Sequence, residues 1–285
     1  MRTVLIIGCG DIGRRVARRH LRHGDYVTGL VRSQASAERL AAEGILPLVM
    51  DLDSDEDPLP EADLVYHFAP PPGSGEQDTR TRRLLTRLPA PVHLVYISTS
   101  GVYGDHQGAW VDETTPPNPQ TDRARRRLDA ERRLLDWGRQ EAVPVVILRV
   151  GGIYGPGRLP IDRLDQVTMI CPDEAPYTNR IHADDLAAVC VAAAEHGEPG
   201  GIYNVADDEP GTMTEYFYQV ADAVGRPRPP CVSLQEAPAH LSPGMLSYVR
   251  ESRRMRTGKM KTLGIHLRYP GLRDGLAASL ADPET

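Results

Sequence analysis

Thr3-Val4-Leu5-Ile6-Ile7-Gly8-Cys9-Gly10-Asp11-Ile12-Gly13-Arg14-Arg15-Val16 is the stretch from which the fold can be read. Val4–Ile7 is a continuous apolar run, the pattern of a strand buried on both faces. Ile12–His23 follows as a helix, with Ile12, Val16 and Leu21 set among arginines and Gly24 as its stop. Between the two, Gly8, Gly10 and Gly13 fit GxGxxG. In a strand-to-helix turn the first glycine permits a tight bend and the second lets backbone approach a pyrophosphate. The third lets the helix pack on the strand. Free N–H groups at the helix start, around Asp11 and Ile12, suit phosphate oxygens. Alone the pattern is weak; its position directly after an apolar strand makes it informative.

Outward from this turn, strand and helix signals alternate. Tyr26–Val31, Ile45–Met50, Asp63–Phe68, Val92–Ser98 and Pro144–Arg149 read as strands, and Ala35–Glu43, Glu76–Leu88 and Gln120–Gln140 as helices. This order predicts an α/β fold, a Rossmann-type doubly wound parallel sheet over residues 1–150. After Val150 the pattern loosens. Gly151–Arg180 is rich in glycine and proline, Ala183–His196 and Met213–Val224 are helical, and Ile202–Val205 is a short strand. The expectation is a smaller C-terminal substrate lobe over 151–285, with returns to the sheet at about 182–206.

Composition narrows the function. The 285 residues are 40% hydrophobic and 25% charged, ordinary globular values that exclude a disordered chain or a collagen. No apolar run approaches the ~20 residues of a membrane span, and the opening run is shorter than the ~7–15 of a signal-peptide core. A cytoplasmic protein without a membrane partner is expected. The net charge of −6 argues against a nucleic-acid partner. Cys9, Cys171, Cys190 and Cys231 are scattered without a CxxC pair, so neither a metal site nor a disulfide framework is expected.

An NAD site usually carries Asp or Glu about 20 residues after the glycines, at the end of the second strand. Here that strand ends Leu30-Val31-Arg32-Ser33, and no acid follows before Glu38. A cation and a hydroxyl stand where a 2′-phosphate would lie, and Arg14 could add a second cation. Arginine's planar fork suits phosphate. NADP is therefore expected in preference to NAD.

Further motifs give the chain a resemblance to the extended, epimerase/dehydratase-like branch of the short-chain dehydrogenase/reductase superfamily. Asp51-Leu52 resembles the family's adenine-contacting pair, and Phe68-Ala69-Pro70 the strand end beneath the cofactor. Ile97 through Gly104 is similar to the motif ending in VYG, which implies Thr99 as the active-site hydroxyl. Arg149 and Gly152-Ile153-Tyr154-Gly155-Pro156 resemble the segment flanking the nicotinamide. Asn179–Ala187 resembles the RxxHVxDxA-type signature, and Ile202–Ala206 the strand that follows it.

The departure from the family is as informative. Its members place Tyr and Lys four residues apart on the helix after VYG; this helix has Arg123 and Arg127 in those places. No Tyr lies between Tyr103 and Tyr154, and no Lys precedes Lys259. Of 33 basic residues only Lys259 and Lys261 are lysine. Arginine stays protonated to about pH 12, so Arg123 cannot relay a proton; Arg127 can still donate to ribose hydroxyls. The chain thus resembles atypical members, including the YeeZ-like subgroup.

Two functions stay open. One is an NADP-dependent oxidoreductase or epimerase-like enzyme for a small polar substrate of the sugar-nucleotide kind, with Thr99 polarising the reacting oxygen and Tyr103 or Tyr154 relaying the proton. The other is a cofactor-binding regulatory module without turnover. His182 is expected to bond backbone, and Asp184 and Asp185 to cap a helix. The arginines of the third and fourth helices, Arg126 among them, read as a solvated or dimer-facing surface, and family resemblance implies a homodimer.

Overall fold

The structure, a computed structural model, describes residues 1–281. Seven strands make one parallel sheet: β1 (Thr3–Ile7), β2 (Tyr26–Val31), β3 (Leu46–Val49), β4 (Leu64–His67), β5 (His93–Thr99), β6 (Val145–Val150) and β7 (Ile202–Val205). Their spatial order is β7-β6-β5-β4-β1-β2-β3. The order reverses beside β1, where open α/β sheets leave a crevice beyond the strand ends.

Alternation along β1 explains why the opening run is wholly apolar. Val4 and Ile6 join one buried cluster with Ile12, Val16, Leu186 and Val189. Leu5 and Ile7 join another with Leu84, Ala130 and Leu134. The first face is covered by α1 (Asp11–Arg22) and α5 (Ala183–His196), the second by α3 (Thr79–Leu85) and α4 (Asp122–Gln140). Each side chain removed from water contributes about 1.5–3 kcal/mol, which fixes the strand between its two layers.

Helix limits follow local caps. α2 (Gln34–Ala42) is capped by Ser33, whose hydroxyl accepts from the Ser36 N–H. The predicted helix from Glu76 begins only at Thr79, because Asp78 accepts from the Thr81 N–H. α4 starts after Thr121, which accepts from the Ala124 N–H. β7 pairs in parallel with β6, and α5 packs beneath it, so residues 183–205 return to the sheet.

The C-terminal residues build a separate small core around α6 (Met213–Ala223) and α7 (Leu272–Ala281), with Tyr154, Leu164, Phe217 and Leu276 buried together. Here one expectation is overturned. Cys171 and Cys231 are joined in a disulfide, their Cα atoms 4.9 Å apart. Met169–Ile170 and Cys231–Val232 pair as parallel strands, which brings together two cysteines whose spacing in sequence carries no signal. Cys9 and Cys190 are free and buried. Among the described residues no helix is long and apolar enough to cross a membrane, and no group of three or more His, Cys, Asp or Glu could hold a metal ion.

Candidate active site

The glycine turn is built as a cradle. Gly8 has φ +82°, and a Cβ there would lie 2.5 Å from the Ala69 nitrogen. The turn is pinned by the Gly8 and Cys9 N–H groups, both donating to the Leu30 carbonyl. Phe68 and Ala69 are drawn close by donating to the Ile7 carbonyl at 2.8 and 2.9 Å. At Gly13 a Cβ would press on the Ile6 side chain at 3.1 Å, so this glycine serves helix–strand contact. Gly10 differs: a Cβ there would meet no atom within 4 Å. No side chain caps α1 among the described residues, so the amides of Asp11, Ile12 and Gly13 face this open space unpaired. The donor set and the room above Gly10 fit a dinucleotide diphosphate.

The adenosine end is more mixed. Arg32 is exposed at the end of β2, and among the described residues no hydrogen bond or ion pair holds its guanidinium. Ser33 caps α2, and its hydroxyl donates to Ser36 Oγ at 3.0 Å. Arg14 is not free, because its Nη1 lies 2.6 Å from Glu43 Oε1. Arg18 holds the other oxygen at 2.9 Å. Asp51 and buried Leu52 follow β3, and Asp51 Oδ1 accepts from the Asp53 N–H at 3.0 Å. Arg80 binds the Asp53 carboxylate and the Pro70 carbonyl, bracing that rim. It is a bridging residue and not a free surface cation.

Beyond the carboxyl ends of β5 and β6 lies a cavity of about 570 Å³. Pro70, Thr99, Arg127, Gly152 and Ile153 line it, so the structure brings these predicted residues together. Thr99 ends β5, and its Oγ1 accepts from the Gly101 N–H at 3.3 Å; among the described residues its hydroxyl proton has no acceptor. Arg127 projects from α4, held by the Tyr96 hydroxyl and the Ile97 carbonyl.

Tyr103 and Tyr154 are not brought to the cavity. Both are fully buried. Tyr103 Oη donates to Asn204 Oδ1 at 2.7 Å, and Tyr154 Oη donates to the Gly271 carbonyl at 3.3 Å. Burial, outweighing nearby arginine, pushes the Tyr103 phenol up. Tyr154 is driven up by burial and by the charges of Asp207 and Asp185. As placed, neither reaches a substrate in this cavity, because packing directs both rings inward.

His182 Nδ1 accepts from the Asp184 N–H at 3.2 Å and caps α5. Asp185 does not cap: its two oxygens accept from the Arg268 and Tyr269 N–H groups, anchoring the tail. Beneath the cavity Glu131 accepts from Ser98 and Arg149, all three buried. Arg149 also stacks over the Tyr103 ring at 4.8 Å. This network ties β5, α4 and β6 together under Thr99.

Several cavity residues escaped sequence reasoning. Arg123, Arg126, Arg158, Arg180 and Arg253 join Arg127 on the walls, with Glu251 the only carboxylate there among the described residues. Arg126 is buried and not on a solvated face. Arg123 lies under the Tyr248 ring at 3.9 Å, and Arg180 stacks on Tyr216 at 4.0 Å. Arg123 and Arg180 sat in recognisable motifs; Tyr248, Glu251 and Arg253 come from a tail without pattern.

A model of the NAD dependent epimerase/dehydratase family matches residues 4–206. Protein YeeZ of Escherichia coli K12 is 29% identical over 242 residues, 79% of this chain and 85% of YeeZ. A functionally unknown conserved protein from Silicibacter pomeroyi is 33% identical, with TM-score 0.85 and both chains covered in full. A Thermus thermophilus UDP-glucose 4-epimerase in complex with NAD has TM-score 0.78 at 22% identity, covering 98% of this chain and 97% of that one. At that identity the likeness is one of fold.

Proposed function

The chain belongs to the NAD dependent epimerase/dehydratase family, and from that premise we propose that it is an NADP-dependent oxidoreductase or epimerase-like enzyme for a small anionic substrate. The observation carrying this reading is the cavity wall, with six arginines against one carboxylate among the described residues, beside a helix start that no described side chain caps. Such a field favours a substrate bearing phosphate or carboxylate groups. A sugar nucleotide meets that requirement, and the Thermus relative is a UDP-glucose 4-epimerase.

The bound nicotinamide would supply hydride chemistry. Around it the amides following Gly10 hold the diphosphate, and Arg127 donates to ribose hydroxyls. Thr99 donates its hydroxyl proton to the substrate oxygen, polarising it. Gly152 and Ile153 form the wall flanking the nicotinamide, and Asp51, Leu52, Phe68, Ala69 and Pro70 border the adenosine side. The exposed guanidinium of Arg32, in no direct ion pair among the described residues, favours a 2′-phosphate. A homodimer in the cytoplasm is part of the same proposal.

One observation favours a second reading, a dinucleotide sensor without turnover. The helix lacks its tyrosine, and the two tyrosines named from the sequence bond inward. Calorimetric titration with NADPH and NADH tests cofactor binding and choice; NADH binding as tightly as NADPH overturns the NADP preference, and binding of neither overturns the whole reading. Oxidation of NADPH with panels of UDP-sugars and small carbonyl compounds tests turnover. Tight binding with silence across the panel supports the sensor. Full activity in Thr99→Val removes Thr99 from the chemistry.

A further inference from the structure

Asp11 is the first residue of α1, so its carboxylate sits where a diphosphate has to arrive. A negative charge there repels the ligand that the glycine turn is shaped to take. The structure shows how it is neutralised. Asp11 Oδ1 accepts from Arg15 Nε at 2.9 Å, and Oδ2 accepts from Arg158 Nε. Arg15 in turn reaches Asp184 Oδ1 at 2.6 Å. The two arginines differ in what holds them. Arg15 stays on α1, is little exposed, and has two carboxylates. Arg158 comes from the exposed loop after Gly155-Pro156-Gly157, lines the cavity, and has Asp11 alone as ion-pair partner among the described residues. Among the described residues, Arg158 is thus the one cation that spans from the cavity wall to the glycine turn.

We propose that Arg158 is a diphosphate-binding side chain of the dinucleotide site, held by Asp11 when no ligand is present and transferred to the diphosphate when one binds. The inference rests on the dinucleotide-binding reading above and adds a residue outside the glycine motif. Three observations converge on it. The space over Gly10 is open. The Asp11–Arg158 pair is only partly shielded, with side-chain exposures of 28% and 32%, so exchanging one anion for another involves little unpacking. Arg15 keeps Asp11 compensated after Arg158 leaves, so the transfer strands no unpaired carboxylate. Burial raises the Asp11 carboxyl, but the hydrogen bonds and charges of Arg158 and Arg15 outweigh it and hold Asp11 ionised. The guanidinium is a permanent cation, and its fork matches two phosphate oxygens. The exchange involves no bond making or breaking beyond hydrogen bonds.

Binding of ADP-ribose and of NADPH to the full chain, measured calorimetrically, tests this. ADP-ribose carries the diphosphate without the nicotinamide or the 2′-phosphate. Arg158→Ala is expected to weaken both about 10- to 100-fold, the effect of losing a charged hydrogen-bonding partner. Asp11→Asn, which frees Arg158 and removes the repelling charge, is expected to tighten both several-fold, and that gain should vanish in Asp11→Asn/Arg158→Ala. A cooperative thermal transition in each variant establishes folding. Wild-type affinity in Arg158→Ala, or weakening confined to UDP-sugars with ADP-ribose unchanged, overturns the inference and leaves the dinucleotide site standing. Failure of the wild-type chain to bind either ligand overturns both.

Discussion

Arg127 donates from Nη1 to the hydroxyl of Tyr96 at 3.0 Å, with its guanidinium carbon 5.7 Å from that ring. The same Nη1 reaches the Ile97 carbonyl at 2.9 Å. The side chain is therefore oriented before any ligand arrives, at the helix position where the resembling family carries lysine. Desolvation dominates Tyr96, pushing its phenol up to about 12 against the lowering charge of Arg127. Tyr96 thus acts as a neutral acceptor for the guanidinium.

If this held guanidinium binds ribose hydroxyls, Arg127→Ala should weaken NADPH binding about 10-fold or more, a loss on the scale of one charged hydrogen bond. Arg127→Lys should recover part of it, since lysine keeps the charge and loses the fork. Calorimetric affinities of the two variants give the comparison.

The glycines of the turn should separate folding from binding. Gly10→Val leaves the protein folded, because its side chain enters open space, and should abolish dinucleotide binding by filling that space. Gly8→Ala should instead lower stability by several kcal/mol, given both its positive φ and the 2.5 Å approach to Ala69. Thermal unfolding alongside NADPH titration distinguishes the two outcomes.

Asp207 carries a pH signature. Desolvation raises its carboxyl to about 7 despite the Glu209 N–H bond and the Arg180 charge, and its Oδ2 is buried without a hydrogen-bond partner among the described residues. The folded chain thus binds a proton that the unfolded chain has lost between pH ~4 and 7. Stability from this group is fully present below pH ~4 and declines to its lower plateau as pH passes 7. Asp207→Asn should flatten that decline and stabilise the protein at pH 8 by ~1–4 kcal/mol. Urea unfolding at pH 5 and pH 8 reads the effect.

The Cys171–Cys231 bond closes a loop of sequence separation 60. Reduction, or Cys171→Ser, should cost about 2–4 kcal/mol, with loss of protection concentrated in the C-terminal core and not in the sheet. Hydrogen exchange with and without dithiothreitol locates it.

Much of the sheet was legible because its signals are local. Val4–Ile7 and Val145–Leu148 are apolar at every position since both faces are covered, and Gly24 and Gly44 mark real helix ends through positive φ. Gly8, Gly10 and Gly13 could be read for the same reason: each answers a demand made within a few residues. Helix starts were less legible, as at Glu76, where a single cap at Asp78 outweighed the surrounding pattern.

The cavity divides differently. Thr99, Arg127, Gly152 and Ile153 lie at strand ends or on a helix face facing the sheet, so motif position foretold their meeting. Tyr103 and Tyr154 show the limit. Their place in the motifs is right, yet which way a ring turns depends on Asn204 and Gly271, more than 100 residues away in each case. Arg14 is likewise claimed by Glu43 at the far end of α2.

From the amino-acid order alone follow the parallel sheet, the glycine turn at its opening and the loss of the tyrosine–lysine pair, since hydrophobic period, backbone freedom and side-chain identity are properties of short segments. Only the folded chain decided which arginines face the cavity, that Arg158 reaches Asp11, and that Cys171 meets Cys231. Those outcomes depend on distances between segments remote in sequence, which are set by the packing of two layers on the sheet and of the C-terminal lobe against it.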